Sequence, residues 1–190
     1  MYSVNPQRHR KAEHDTACQT GRLPMSEIVV YESWDHLVSL LVPFVVRCGA
    51  AVLCGAMVGL ERELKGKPAG FRTNILICLG SAMYMAVGAL LQRETAGSAI
   101  DPTRIAAQVV TGIGFLGAGC IIQERGRVVG LTTAATIWVV AAIGIIAGGG
   151  FPALALVATV LVVLTLRLLG AFETRFLDPA RSDEPGSNSK

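Results

Sequence analysis

Arg47 sits near the middle of an apolar run, residues 37–60. A guanidinium at the centre of a membrane helix costs about 2.5–3.5 kcal/mol on insertion scales, so a functional or internally bonded role is expected. The alternative is snorkelling, with the stem in the apolar layer and the head at its surface. Pro43 lies four residues earlier and is expected to deprive the Ser39 carbonyl of its helical partner. A broken backbone bond beside a cation suggests a polar pocket suited to an anion or polar solute. No Asp or Glu falls inside the long apolar runs, which weighs against a simple pathway for metal cations.

Further charges gather where the runs end. Glu61, Arg62 and Glu63 follow the first run. A helix C-terminus favours cations, so two carboxylates there need a reason. Glu61 can pair with Lys65 at i, i+4. The other reading is an edge site for a metal or a protein partner. Arg72 closes the same basic loop. Asp101-Pro102 reads as an N-cap followed by proline in the first helical turn. Arg104 then anchors at the interface or pairs with Asp101.

The neutral polar groups inside the runs are Asn74, Gln108, Thr111, Thr132, Thr133 and Thr136. Gln108 and Thr111 share a helical face, as do Thr132 and Thr136. They serve as bonds between helices or as the lining of a ligand cleft. Gly112-Ile113-Gly114-Phe115-Leu116-Gly117 has the GxGxxG spacing of dinucleotide sites. That reading needs a strand before the motif, and here the motif lies within an apolar run. Small residues that let membrane helices approach are the better reading for Gly112, Gly114, Gly117 and Gly119, and for Gly55 and Gly59. Cys18, Cys48, Cys54, Cys78 and Cys120 form no CxxC pair and suggest no zinc site. His9, His14 and His36 all precede or open the first run, and no catalytic set appears. No enzyme activity, cofactor or resident metal is expected.

These residues must be carried by elements, and the composition says which kind. The 190 residues are 52% apolar and only 16% charged, with a mean hydropathy of +0.51. Soluble domains average about 25% charged residues. A net charge of +3 is too small and too spread to suggest nucleic-acid binding. The apolar excess falls into five blocks, residues 37–60, 73–91, 105–122, 128–147 and 151–169. Each is about the length needed to cross a bilayer, roughly 17–25 residues. The fold class expected is all-α: a polytopic membrane protein of five transmembrane helices packed through glycine-rich faces. The fifth block lacks interior glycine and is expected to face lipid.

Arg62, Lys65, Lys67, Arg72, Arg125, Arg127, Arg175 and Arg181 fall on one side of this arrangement. That side is expected to be cytoplasmic, with the N-terminus outside and the C-terminus inside. Residues 1–36 read as a polar tail, of which 1–24 precede an alternative start at Met25. Residues 37–170 form the membrane domain and 171–190 a short disordered cytoplasmic tail.

Several motifs then occur in order. They are Val58-Gly59-Leu60-Glu61-Arg62-Glu63, Lys67-Pro68-Ala69-Gly70-Phe71-Arg72-Thr73 and the stretch Asp101 to Val110. The glycine run Gly112 to Gly119 and Gly130-Leu131-Thr132-Thr133-Ala134-Ala135-Thr136 complete the set. Over roughly residues 37–170 the chain resembles the MgtC/SapB family of bacterial inner-membrane proteins. The resemblance implies a five-helix hydrophobic domain and a link to growth in low magnesium and survival inside macrophages. It implies action on other membrane proteins, the F-type ATP synthase among them, rather than carriage of magnesium. Longer members add a soluble C-terminal domain, and here only a short tail follows Leu169. Two functions are therefore expected to compete: a regulator that binds a membrane-protein partner, and a transporter or channel for a small ion or polar solute. Glycine-rich faces would also serve a homo-oligomer.

Overall fold

The computed structural model describes residues 34–94, 101–124 and 127–176. The Arg8–Lys11 cluster, Cys18, Met25, Arg125, Arg181 and most of both tails lie outside these residues. The chain divides into two units, Met1–Ser39 and Leu40–Lys190, and the residues that form the sites belong to the second.

Among the described residues five helices form in chain order: α1 (Trp34–Leu64), α2 (Phe71–Glu94), α3 (Pro102–Gly119), α4 (Leu131–Gly148) and α5 (Pro152–Phe176). Between α3 and α4 lies a hairpin of β1 (Ile122–Glu124) and β2 (Arg127–Val129), paired antiparallel with Ile122 opposite Val129. The third expected block is therefore shifted by three residues toward the N-terminus, and the fourth is shorter than read. Ile122 and Val128 are strand residues rather than span residues. β-Branched residues flanking a polar turn favour such pairing. Gly130 follows at φ +91°, a conformation that suits glycine. An added Cβ there would meet the Cys120 carbonyl. At the other end, α5 runs on to Phe176, so residues 171–176 are helical rather than tail.

Among the described residues four helices are long and apolar enough to cross a membrane: Leu37–Leu64, Phe71–Gln92, Leu131–Gly148 and Pro152–Phe172. α3 is not among them; Arg104, Gln108 and its glycines dilute an 18-residue helix. It nevertheless returns the chain along the bundle. Its first turn meets Gly88 through Ile105, and Gly117 in its last turn meets Ala134 at the start of α4.

α4 is the hub and packs on α2, α3 and α5. Half of its apolar window is buried, against 17% for α1 and 11% for α5. α5 thus presents most of its surface outward, as its lack of interior glycine suggests. Lipid tails are as apolar as these side chains, so close van der Waals fit must hold such helices together. The tightest seam is α2 against α4. A Cβ on Gly144 would strike the Cys78 carbonyl, and one on Gly148 the Ala82 carbonyl. Gly55 and Gly59 do the same for α1 against α2, at 2.8 Å from the backbone of Asn74 and Phe71. Around these seams Cys54, Val58, Cys78, Ile137, Val140 and Ile143 close the core.

Candidate functional site

The α1–α2 connection holds the densest set of charges. Glu61 and Arg62 are each only 3% exposed. Glu61 Oε2 lies 2.6 Å from Arg62 Nε, and Oε1 lies 3.0 Å from Lys65 Nζ. Two cations therefore compensate one carboxylate held away from water, which a single partner rarely does well. The i, i+4 pair with Lys65 is present alongside the buried Arg62 contact. Arg62 Nη1 has no hydrogen-bond partner among the described residues. Glu63 turns elsewhere: its Oε2 accepts the Phe71 N–H at 2.9 Å. The second acid at the end of α1 thus serves as an acceptor at the start of α2, where the helix dipole favours a negative charge. Gly70 makes room for it, since a Cβ there would collide with the Glu63 carboxylate. Asn74 Nδ2 donates to the carbonyls of Ala69 and Gly70, both at 2.8 Å, and ties the turn to α2.

Beside this cluster a pocket of about 780 Å³ opens where α1, α4 and α5 meet. Arg62, Lys65, Lys67 and Arg167 line it, with Glu61 and Thr132. Lys65 Nζ also donates to the Leu166 carbonyl at 3.2 Å, which pins α1 to α5. Lys65, Lys67 and Arg167 escape notice in the sequence as site residues. The two lysines are about a hundred residues from Arg167 along the chain, and only the approach of the α1–α2 connection to α5 brings them together.

A second cavity, about 720 Å³ and mostly apolar, lies between α2 and α3. Arg72, Thr73, Ser81, Tyr84 and Gln108 are among its polar lining; Leu76, Ile105 and Leu116 are among its apolar walls. Of the glycines on α3, Gly117 packs on Ala134, whereas Gly112, Gly114 and Gly119 have nothing within 4 Å of an added Cβ. Gly112 and Gly119 share one side of α3 and Gly114 lies toward the opposite side, so glycines on both sides are open rather than used inside the bundle.

Arg47 joins neither pocket. Its Nη1 donates to the Gly148 carbonyl at 3.2 Å, at the last residue of α4. A helix C-terminus carries unpaired carbonyls and a partial negative charge. The cation and the helix end thus compensate each other. Pro43 lies within continuous helix α1, and Ser39 is engaged in an interaction of its own. The polar gap expected there gives way to a helix that passes through Pro43.

The remaining polar residues are dispersed. Thr136 and Thr111 donate to carbonyls of their own helices, Thr132 at 2.8 Å and Ala107 at 2.9 Å, not across helices. Thr133 is buried, and Thr132 reaches the basic pocket. Gln108 lines the α2–α3 cleft without Thr111. Asp101 caps α3: its Oδ1 accepts from the Thr103 N–H at 2.9 Å and the Thr103 hydroxyl at 2.7 Å. The Thr103 hydroxyl, then its backbone N–H, hold the Asp101 carboxyl below the usual carboxylate range, with Arg104 adding its charge. Arg104 is exposed, and its backbone N–H completes the turn to the Asp101 carbonyl.

Comparison with known proteins places this arrangement. The MgtC family model matches residues 49–175. YhiD of Escherichia coli (strain K12), provisionally named a magnesium transporter, is 46% identical over 134 residues, 68% of this chain and 61% of its own. The protein MgtC of Brucella abortus is 44% identical over 119 residues, 63% of this chain and 48% of its own. The protein MgtC of Salmonella typhimurium is 44% identical over 130 residues, 68% of this chain and 54% of its own. The chain thus spans 48% to 61% of the length of these relatives. No solved structure matches it. The matched region takes in α2 to α4 whole, the turn with Glu61–Arg62–Glu63 and most of α5, and this multi-pass membrane protein belongs to the MgtC family.

Proposed function

We propose that the chain is a regulatory protein of the bacterial inner membrane that binds another membrane protein and acts in adaptation to low magnesium. The observation that carries this reading is the α2–α3 cleft, lined on α3 by Gly112, where nothing lies within 4 Å of an added Cβ. A small residue opening onto an apolar groove is the shape that admits a further membrane helix. The partner's helix would lie along α3, with Gln108 and Arg72 available to bond its polar groups. The family resemblance makes the F-type ATP synthase the first candidate, and a second copy of this chain the second. This role is non-catalytic. With the basic loops inside, the N-terminus lies outside and the C-terminus in the cytoplasm.

The test is photo-crosslinking from position 116 in cells grown in low magnesium, with and without Gly112→Leu. A defined membrane-protein adduct that Gly112→Leu removes is expected. Absence of any stoichiometric adduct from this face would sink the reading.

Transport is the second reading, favoured by the polar lining of the same cleft and by the provisional name of the Escherichia coli relative. Flux of magnesium, protons and common anions into liposomes separates the two. Flux lost in Gln108→Leu supports transport; no flux of any of these removes it. Gln108 is a better probe than Arg47, because Arg47 is tied to the end of α4 and its loss would confound flux with folding.

A further inference from the structure

We infer that the basic pocket between α1, α4 and α5 binds a phosphate group carried on an organic molecule. Three independent features converge there. First, Arg62, Lys65, Lys67 and Arg167 line the pocket against one carboxylate, Glu61, leaving an excess of three positive charges (four minus one). Glu61 is ion-paired with Arg62 and Lys65, although its Oε1, like Arg62 Nη1, has no hydrogen-bond partner among the described residues.

Second, Arg62 is 97% buried, and its Nη1 finds no acceptor among the described residues. A buried donor left unpaired costs about 1–3 kcal/mol, more when charged, so an acceptor arriving in this pocket removes a standing penalty. Arginine's planar fork matches phosphate oxygens, whereas lysines add point charge around them.

Third, the pocket borders the N-terminus of an 18-residue helix. Thr132, the second residue of α4, lines it, and the N-cap Gly130 offers no side-chain hydrogen bond. The first backbone N–H groups of a helix attract anions, phosphate above all. Here the helix lacks a side-chain N-cap, next to the strongest concentration of cations among the described residues.

The size and walls narrow the ligand. A volume of about 780 Å³ is far more than a bare phosphate fills. Leu64, Leu166 and Leu169 add apolar surface beside the charges. An anionic phospholipid headgroup or a soluble organic phosphate has this chemistry. Basic pockets between membrane helices on the cytoplasmic side are known to hold lipid headgroups.

The experiment uses the full chain in dodecyl maltoside, titrated in separate arms with short-chain phosphatidylglycerol and with glycerol phosphate. Thermal midpoint and native mass spectrometry are the readouts. Binding of phosphatidylglycerol alone identifies a lipid source, and binding of glycerol phosphate identifies a soluble one. In either case Lys67→Gln combined with Arg167→Gln, both exposed positions, is expected to weaken binding by about tenfold or more. The double variant should keep the unliganded melting point, which separates loss of the site from loss of the fold. Arg62→Lys should retain the charge but lose the fork, and weaken binding further. The inference is overturned if neither probe binds, or if the folded double variant binds both as the native chain does.

Discussion

Arg47 shows how differently one side chain reads with and without its neighbours. In the chain it is a charge stranded in an apolar run. In the fold it donates to the last carbonyl of α4, and the cost of burying it is shared with the cost of ending a helix. Arg47→Ala is expected to destabilise the detergent-solubilised protein by about 1–2 kcal/mol, and Arg47→Lys by less, because an ammonium still faces the helix end. Denaturant or thermal titration of the two variants checks this; no loss in either would mean the contact contributes nothing, and equal losses would mean an ammonium cannot stand in for the guanidinium. The same contrast runs through the acids that follow α1. The Glu61–Lys65 pair was legible because i, i+4 spacing fixes distance on a helix. The use of Glu63 at the start of α2 was not, because it depends on how the turn at Gly70 folds back. Asp101 was fully legible, since a cap involves only its next few residues.

Helices and seams obey the same division. Long apolar runs announced the five helices described, but glycine content did not rank their burial: the window of α1, with Gly55 and Gly59, is only 17% buried, close to the 11% of α5. Composition does not say which glycines touch anything. Gly144 backs onto the Cys78 carbonyl, whereas Gly114 faces open space. Gly144→Ala should therefore push α2 and α4 apart and destabilise the protein by about 1–3 kcal/mol, the usual cost of overpacking. Gly114→Ala should be neutral or stabilise by up to about 1 kcal/mol through helix propensity. A melting comparison decides it, and a reversed order would contradict the assignment of the two faces. The hairpin between α3 and α4 was missed because Ile121, Ile122, Val128 and Val129 read equally well as ends of apolar spans. Only the turn between them makes strands the better use.

The contacts also set the relative directions of the helices. Arg47 meets the end of α4 while Arg62 shares a pocket with its start, so α1 runs against α4. Cys78 faces Gly144 and Ala82 faces Gly148, so α2 runs with it. α3 carries the chain back between them. Combined with the basic α1–α2 loop, this predicts that a cytoplasmic reporter is active when fused after Lys67 and a periplasmic one when fused after Phe151. The opposite pattern would invert the proposed orientation and move the basic pocket to the outer face. Membrane residence, helix number and family were decided by the sequence, because hydropathy, helix length and local caps depend on neighbours within a few residues. The basic pocket, the open α2–α3 cleft and the partner of Arg47 were decided by the tertiary structure. Arg62 and Arg167, or Arg47 and Gly148, are about a hundred residues apart in the chain. Their meeting depends on which helix faces fit one another across the bundle, and no local property of the chain encodes that fit.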